Sequence, residues 1–496
     1  MSNLFYTSTR GKSAKQSSAG AILSGIASDG GLYVPDPLPL DSLDPLEIVN
    51  KSYQEIALVV MAEYFTDFSD ADLKACIDLA YLNTFDTPHI APLVKRDDVY
   101  YLELFHGPTL AFKDVALTIL PHLMKQAARM SGTDREIVIL TATSGDTGKA
   151  ALEGFAGVEG TKIIVFFPEH GVTQIQKRQM VTQHGENAYV IGIEGNFDDA
   201  QAGVKAIFTD PALSAKLYQS NYMFSSANSI NIGRLVPQIV YYFFAYTQLL
   251  RSGEIKRDEP IDYVVPTGNF GNILAAYYAK QLGLPVNRLI CASNENRVLF
   301  DFFTSGTYDK NRDFVMTMSP SMDILVSGNL ERLLYHASDD DSASVRQMMD
   351  RLNLTGRFDI SPIMREALSD FYAGFATEEE TSQSIKQVYE SSGYLIDPHT
   401  AVGHAVYSGY REKTQNPTKA VIVSTASPFK FTASVMKALG RDYKADDFEL
   451  IDILSRETGL SVPTPLVKLA TEPVRHRKIC RKEEMKKQVL EILGIS

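Results

Sequence analysis

From residue 99 onward, short β-branched runs alternate with helical segments, and nothing else in the chain constrains its fold as strongly. The runs lie at 136–143 (EIVILTAT), 161–168 (TKIIVFFP), 188–193 (AYVIGI), 261–266 (IDYVVP), 288–292 (RLICA) and 420–425 (AVIVST). Several are apolar on both alternating faces, which suits strands covered by helices on each side. Strand–helix alternation implies parallel sheets joined by right-handed crossovers. Between about 300 and 390 the strand signal fades, and helical patterns at 331–335, 342–352 and 377–389 predict a helical insertion. Thr377 and Glu380 predict a capping box at the last of these. The first 98 residues read as helical, with apolar spacing at 53–64 and 70–81 and a proline-rich connector at 35–45. The Lys- and Arg-rich stretch 474–489 predicts a solvated amphipathic helix.

A chain of 496 residues suggests two to four domains at roughly 100–200 residues each. The expected division is a helical region at 1–98, a large domain from 99–130 and 226–470, a small mobile α/β domain at 131–225, and a terminal helix at 471–496. Lys and Arg number 48 against 60 Asp and Glu, a net charge of −12, which argues against nucleic acid as a partner. The greasiest stretch, 236–250, contains Gln238 and Gln248 and reads as a buried helix, so no membrane contact is expected. Cys76, Cys291 and Cys480 are odd in number and far apart, which fits a reducing compartment and predicts a cytoplasmic protein. The first 28 residues lack acid and carry Arg10, Lys12 and Lys15, a faint transit-peptide pattern. The stretch SDGGLYVP at 28–35 reads instead as folded structure.

In open α/β sheets, ligands sit beyond the carboxyl ends of strands. The loop at 143–148 (TSGDTG) follows one predicted strand and opens a helix, where free N–H groups and the helix dipole suit an anion. It is neither a Walker loop nor a dinucleotide loop, and a tight turn with hydroxyl caps is the other reading. The loop at 266–272 (PTGNFGN) repeats the arrangement and could cradle a phosphate with backbone donors, or form an ordinary βα turn. Ser424 and Thr425 end a third strand, where a hydroxyl could meet a ring nitrogen or serve only a turn. At 105–116 (FHGPTLAFKDVA), Lys113 stands in apolar company. Desolvation there would favour a neutral, nucleophilic amine, whereas a surface position would let the lysine snorkel. His106 reads first as a local hydrogen-bonding group and second as a proton carrier. His399 and His404 are five apart, wrong for two ligands on one helix face, and no metal site is expected. The acidic cluster 339–341 reads as a solvated loop.

The segment at 105–114 resembles the FHGPTxAFKD signature of the threonine synthase family, pyridoxal-phosphate (PLP) enzymes of fold type II. Segments at 142–148, 227–231 with Arg234, 266–272, 319–325, 396–403 and 424–428 resemble the family's motifs in the same order, and 28–35 fits its start. The resemblance spans nearly the whole chain and points to the long branch with fungal and many bacterial members. It implies a tryptophan-synthase-β-like α/β fold with two parallel-sheet domains. It further implies that Lys113 holds PLP covalently and moves protons. Gly268, Asn269, Phe270, Gly271 and Asn272 would cradle the cofactor phosphate, and Thr425 would meet the pyridine nitrogen. Ser144, Gly145, Asp146 and Thr147 would take the substrate carboxylate, and Asn228 and Arg234 the substrate phosphate. Asp146 departs from related PLP lyases, which often carry Asn there, and Ser427 stands where relatives carry His. The implied reaction turns O-phospho-L-homoserine and water into L-threonine and phosphate, in a monomer or homodimer. A phospho-lyase releasing a keto acid and ammonia shares every motif, and a non-catalytic PLP- or phosphometabolite-binding protein is the alternative from another class.

Overall fold

The alternating strands divide between two separate sheets in the computed structural model, which describes residues 4–143, 145–170, 172–441 and 443–495. The larger sheet runs Phe371–Phe375, Val286–Ser293, Ile261–Pro266, Ala420–Ser424, Val99–Glu103, Leu93–Arg96. All its pairings are parallel except the last, where Leu93–Arg96 turns back on Val99–Glu103. The smaller sheet is parallel throughout, in the order Lys478–Arg481, Ala188–Glu194, Thr161–Pro168, Glu136–Ala142, Tyr222–Ser225. Strands such as Ile261–Pro266 and Ala420–Ser424 are buried along their whole length, which is why both of their faces are apolar.

Helix Ile232–Arg251 is the stretch whose greasiness suggested burial, and nearly all of it is buried. Its two glutamines are satisfied inside: Gln238 Nε2 donates to the Arg234 carbonyl at 2.7 Å, and Gln248 Nε2 donates to the Ala91 carbonyl at 3.1 Å. Among the described residues no helix is long and apolar enough to cross a membrane. The capping box at Thr377 and Glu380 is present and starts helix Glu378–Ser392. The three cysteines are free and buried.

Several short strands depart from the expected organisation, among them Thr307–Asp309, which pairs with Arg357–Asp359 inside the expected helical insertion. Phe5–Ser8 pairs with Tyr33–Asp36, and Leu93–Arg96 joins the larger sheet, all within a region expected to be helical. Phe371–Phe375 forms an edge of the larger sheet inside the expected helical insertion. The tail is corrected too: only Met485–Leu493 is a long helix, and Lys478–Arg481 is the outer strand of the smaller sheet. These are edge or two-stranded elements, three to five residues long and partly exposed, so they lack the two-sided apolar pattern that marks a central strand.

The two sheet systems meet where helix Lys113–Leu117 packs on helix Asp146–Phe155. A Cβ on Gly154 would lie 2.0 Å from the Leu117 carbonyl oxygen, so the close approach requires glycine. Gly154→Ala is expected to part these helices and cost about 1–3 kcal/mol. A thermal melt checks this, and an unchanged midpoint would mean that the contact yields without cost.

Candidate active site

Lys113 opens a short helix whose approach is stitched to the end of strand Ala420–Ser424. Leu104 N–H donates to the Ser424 carbonyl at 2.9 Å, Phe112 N–H to the Thr425 carbonyl at 2.8 Å, and Ser427 N–H to the Leu110 carbonyl at 3.0 Å. Buried Asp114 holds the loop from within, accepting from Thr109 N–H at 2.8 Å and Thr109 Oγ1 at 2.5 Å. Burial pushes its carboxyl up to about 6, against the two Thr109 bonds. Lys113 and Thr425, far apart in sequence, are therefore neighbours by backbone hydrogen bonding. His106 lies between Asp86 (Nδ1–Oδ1 2.6 Å) and Glu103 (Nε2–Oε2 2.9 Å), the local bonding role expected for it.

The Lys113 side chain is largely buried, and its Nζ donates to Ser321 Oγ at 3.2 Å. Asp146 Oδ2 lies 3.7 Å away. Burial lowers the Lys113 pKa; Asp146 opposes this, and Lys430 and Arg234 add to it. Asp146 Oδ1 pairs at 2.9 Å with Lys430, whose side chain is 1% exposed. Burial alone would raise the Asp146 carboxyl, yet Lys430 and Lys113 hold it well below the usual carboxylate range. Ser321 is fixed through its backbone, where its N–H donates to His399 Nε2 at 3.1 Å. His399 Nδ1 in turn donates to Asp397 Oδ1 at 2.7 Å, an arrangement that needs the proton on Nδ1.

The 143–148 loop begins helix Asp146–Phe155 with no side-chain cap from Gly145. Thr143 Oγ1 accepts from the N–H groups of Gly145 and Gly148, both at 3.0 Å, and Gly145 takes φ 149°. Thr143 thus caps part of this helix start and engages the Gly145 N–H expected to meet a carboxylate, so the N–H groups of Asp146 and Thr147 are the ones left for an anion. Ser144 lies outside the described residues. The Asp146 side chain departs from its expected role: it is turned toward Lys430 and Lys113 and would repel a substrate carboxylate, leaving only its backbone N–H for one.

Helix Gly271–Gln281 also starts without a side-chain cap, after Phe270 in the left-handed region at φ 63°. Gly268 is packed so closely that a Cβ would meet the Ser321 carbonyl at 2.6 Å. The Asn269 carbonyl accepts from Asn329 N–H at 3.1 Å and Asn329 Nδ2 at 3.0 Å. The hydroxyls of Tyr241 and Tyr242 both lie 2.6 Å from Asn272 Oδ1, and Asn272 Nδ2 is buried with no partner among the described residues. A buried donor without an acceptor costs free energy unless a ligand supplies one.

Arg234 repeats the pattern. It is 3% exposed, its Nη1 donates to the Ala227 carbonyl at 2.9 Å, and its Nε has no partner among the described residues. Burial lowers its pKa to about 10, with no carboxylate to restore it. A buried guanidinium left in that state suits an incoming anion. Asn228 is exposed, and no hydrogen bond joins its side chain to Arg234 among the described residues. Asn231 has a structural task instead: its Nδ2 donates to the Ile22 and Ser226 carbonyls, and its Oδ1 caps the helix at Gly233 N–H. No group of His, Cys, Asp and Glu able to hold a metal occurs among the described residues.

Comparison with known proteins decides the family. The family model for pyridoxal-phosphate dependent enzymes matches residues 84–427, flanked by the threonine synthase N terminus at 5–81 and the threonine synthase C-terminal model at 400–488. The chain belongs to the threonine synthase family. Threonine synthase of Pseudomonas aeruginosa is 39% identical over 476 residues, covering 95% of this chain and 98% of that one. The solved structure of PLP-bound threonine synthase from Brucella melitensis superposes with a TM-score of 0.87 at 38% identity, covering 99% of this chain and 98% of the other. Threonine synthase-like 1 of Macaca fascicularis is 40% identical over 432 residues, 84% of this chain, but this chain spans only 57% of that protein's length.

The cofactor of the threonine synthase family is pyridoxal phosphate, and the residues present fit it. An uncapped helix start, a glycine packed against backbone and the orphaned Nδ2 of Asn272 suit its phosphate, and Lys113 is a buried amine. Three side chains at this site escaped assignment from the sequence: Ser321, His399 and Lys430. Ser321 and His399 fall inside motifs shared with the threonine synthase family, so their segments were visible and their contacts were not. Lys430 lies beyond the quoted motif and carried no local signal.

Proposed function

We propose that the protein is a threonine synthase, converting O-phospho-L-homoserine and water into L-threonine and phosphate. The observation that carries this reading is a buried amine beside a buried guanidinium whose Nε has no partner among the described residues: Lys113 to move protons, and Arg234 to receive a phosphate. Lys113 and the 268–272 loop would hold PLP, which when bound would supply an electron sink for the substrate carbons. Lys113, neutral for part of the time because burial disfavours its charge, removes the proton from the α-carbon and returns one later. Arg234 stabilises the phosphate as it leaves the γ-carbon through a charge-assisted contact. The N–H groups of Asp146 and Thr147, at the start of helix Asp146–Phe155, orient the substrate carboxylate. Thr425, at the strand end and joined through its carbonyl to the Lys113 loop, would offer its hydroxyl to the cofactor's ring nitrogen. Water adds at the β-carbon, and a final proton completes threonine. The smaller sheet system, bearing Asp146, closes over the substrate and keeps bulk water from the reactive species.

Incubation of pure protein with O-phosphohomoserine, following phosphate and threonine together, tests the reading. One threonine is expected per phosphate. Phosphate with 2-oxobutyrate and no threonine would instead establish a phospho-lyase. Borohydride trapping of PLP on Lys113 without turnover of any phosphorylated amino acid would establish a binding protein.

A further inference from the structure

We propose that Lys430 is a positioning residue for Lys113: it engages the Asp146 carboxylate so that this carboxylate does not hold Lys113 in its charged form. The two lysines flank Asp146 unequally. Lys430 Nζ is 2.9 Å from Oδ1, within hydrogen-bonding distance, whereas Lys113 Nζ is 3.7 Å from Oδ2, outside it. Lys430 is also pinned from behind, donating to the Thr109 carbonyl at 2.6 Å. Among the described residues the Lys113 side chain makes one hydrogen bond, to the neutral hydroxyl of Ser321, which itself lies 3.5 Å from Asp146 Oδ2. Lys430 therefore ties together the Lys113 loop, the turn Pro428–Lys430 and the small-domain helix Asp146–Phe155.

The charged groups facing Lys113 come from four elements. Asp114 lies on its own helix, Asp146 on the small-domain helix, Lys430 on the turn and Arg234 on the long buried helix. His399 and Gln176 face Asp146 from other sides. With Lys430 present, Asp146 is already compensated. Without it, Asp146 would have Lys113 as its nearest cation in a dry site, where attraction is strong. Lys113 would then stay protonated to higher pH, and a protonated amine has no lone pair with which to capture an aldehyde or take a proton.

The inference rests on the reading of Lys113 as the amine that holds PLP, and the test separates the two. The full-length protein is stripped of cofactor, and capture of added PLP is followed by visible absorbance between about pH 6 and 10. The acidic limb of turnover is measured alongside. Lys430→Met is expected to raise both midpoints by about one pH unit, slowing capture at neutral pH about tenfold. Lys430→Arg, which keeps the charge, is expected to leave the midpoints in place. Asp146→Asn is expected to move them the opposite way, since two cations then face Lys113 without the carboxylate. A Lys430→Met protein that loses rate equally at every pH, with unshifted midpoints, would overturn the proposal and leave Lys430 a purely structural tie. Should that variant not fold, Asp146→Asn decides alone, and an upward or absent shift overturns the proposal. Failure of the unaltered protein to capture PLP would remove the reading of Lys113 itself, and the inference with it.

Discussion

Lys113→Ala is expected to lower turnover at least about a thousandfold, the scale set by loss of a positioned general base, and to abolish the visible absorbance of bound PLP. The fold should survive. The loop that presents Lys113 is held by Asp114 on Thr109, by Phe112 on Thr425 and by Leu110 on Ser427, and none of these bonds involves Nζ. The ammonium itself is a burden in its buried position, so its removal offsets part of the packing lost with the side chain. Far-UV circular dichroism should match that of the unaltered protein while activity and absorbance vanish together. Retained turnover would refute the role of Lys113.

Arg234→Met carries the second large effect, and its sign differs between the free and the substrate-bound protein. In the free protein Arg234 is a buried cation with an unpaired Nε and no carboxylate beside it. Replacing it with an apolar chain of similar length should leave the melting temperature of the ligand-free protein unchanged or higher. With phosphorylated substrate the balance reverses. A lost charge-assisted contact of about 2–3 kcal/mol should raise KM roughly 30- to 150-fold, and added inorganic phosphate should no longer raise the melting temperature. Absorbance of bound PLP should persist. Equal loss of cofactor and substrate binding would move Arg234 to the cofactor phosphate.

Much of this architecture could be read from the chain because its central strands and cofactor loops carry strong local signals. Strands 261–266 and 420–424 are apolar on both faces because helices cover both faces, and 266–272 advertises its helix start through glycines that the packing requires at Gly268. Edge strands escaped notice for the opposite reason: Leu93–Arg96 and Lys478–Arg481 bury only some of their side chains and so resemble loop or helix. At the site, a motif could point to Lys113 but not to Lys430, because the Asp146 carboxylate that joins them is brought in by a different sheet system. The same limit applied to Asp146. Its place in a glycine-rich loop suggested a ligand contact, and only the two neighbouring ammonium groups reveal where its charge is committed.

Strand Ala188–Glu194, largely buried and rich in apolar side chains, would be a bare rim if its sheet ended there. Such a parallel rim is a template on which another copy of the chain could polymerise. The tail segment Lys478–Arg481 occupies the template from within the same molecule and turns Lys478 and Arg481 outward. The edge it leaves in turn is only four residues long and carries charged side chains, a composition that disfavours a further rung.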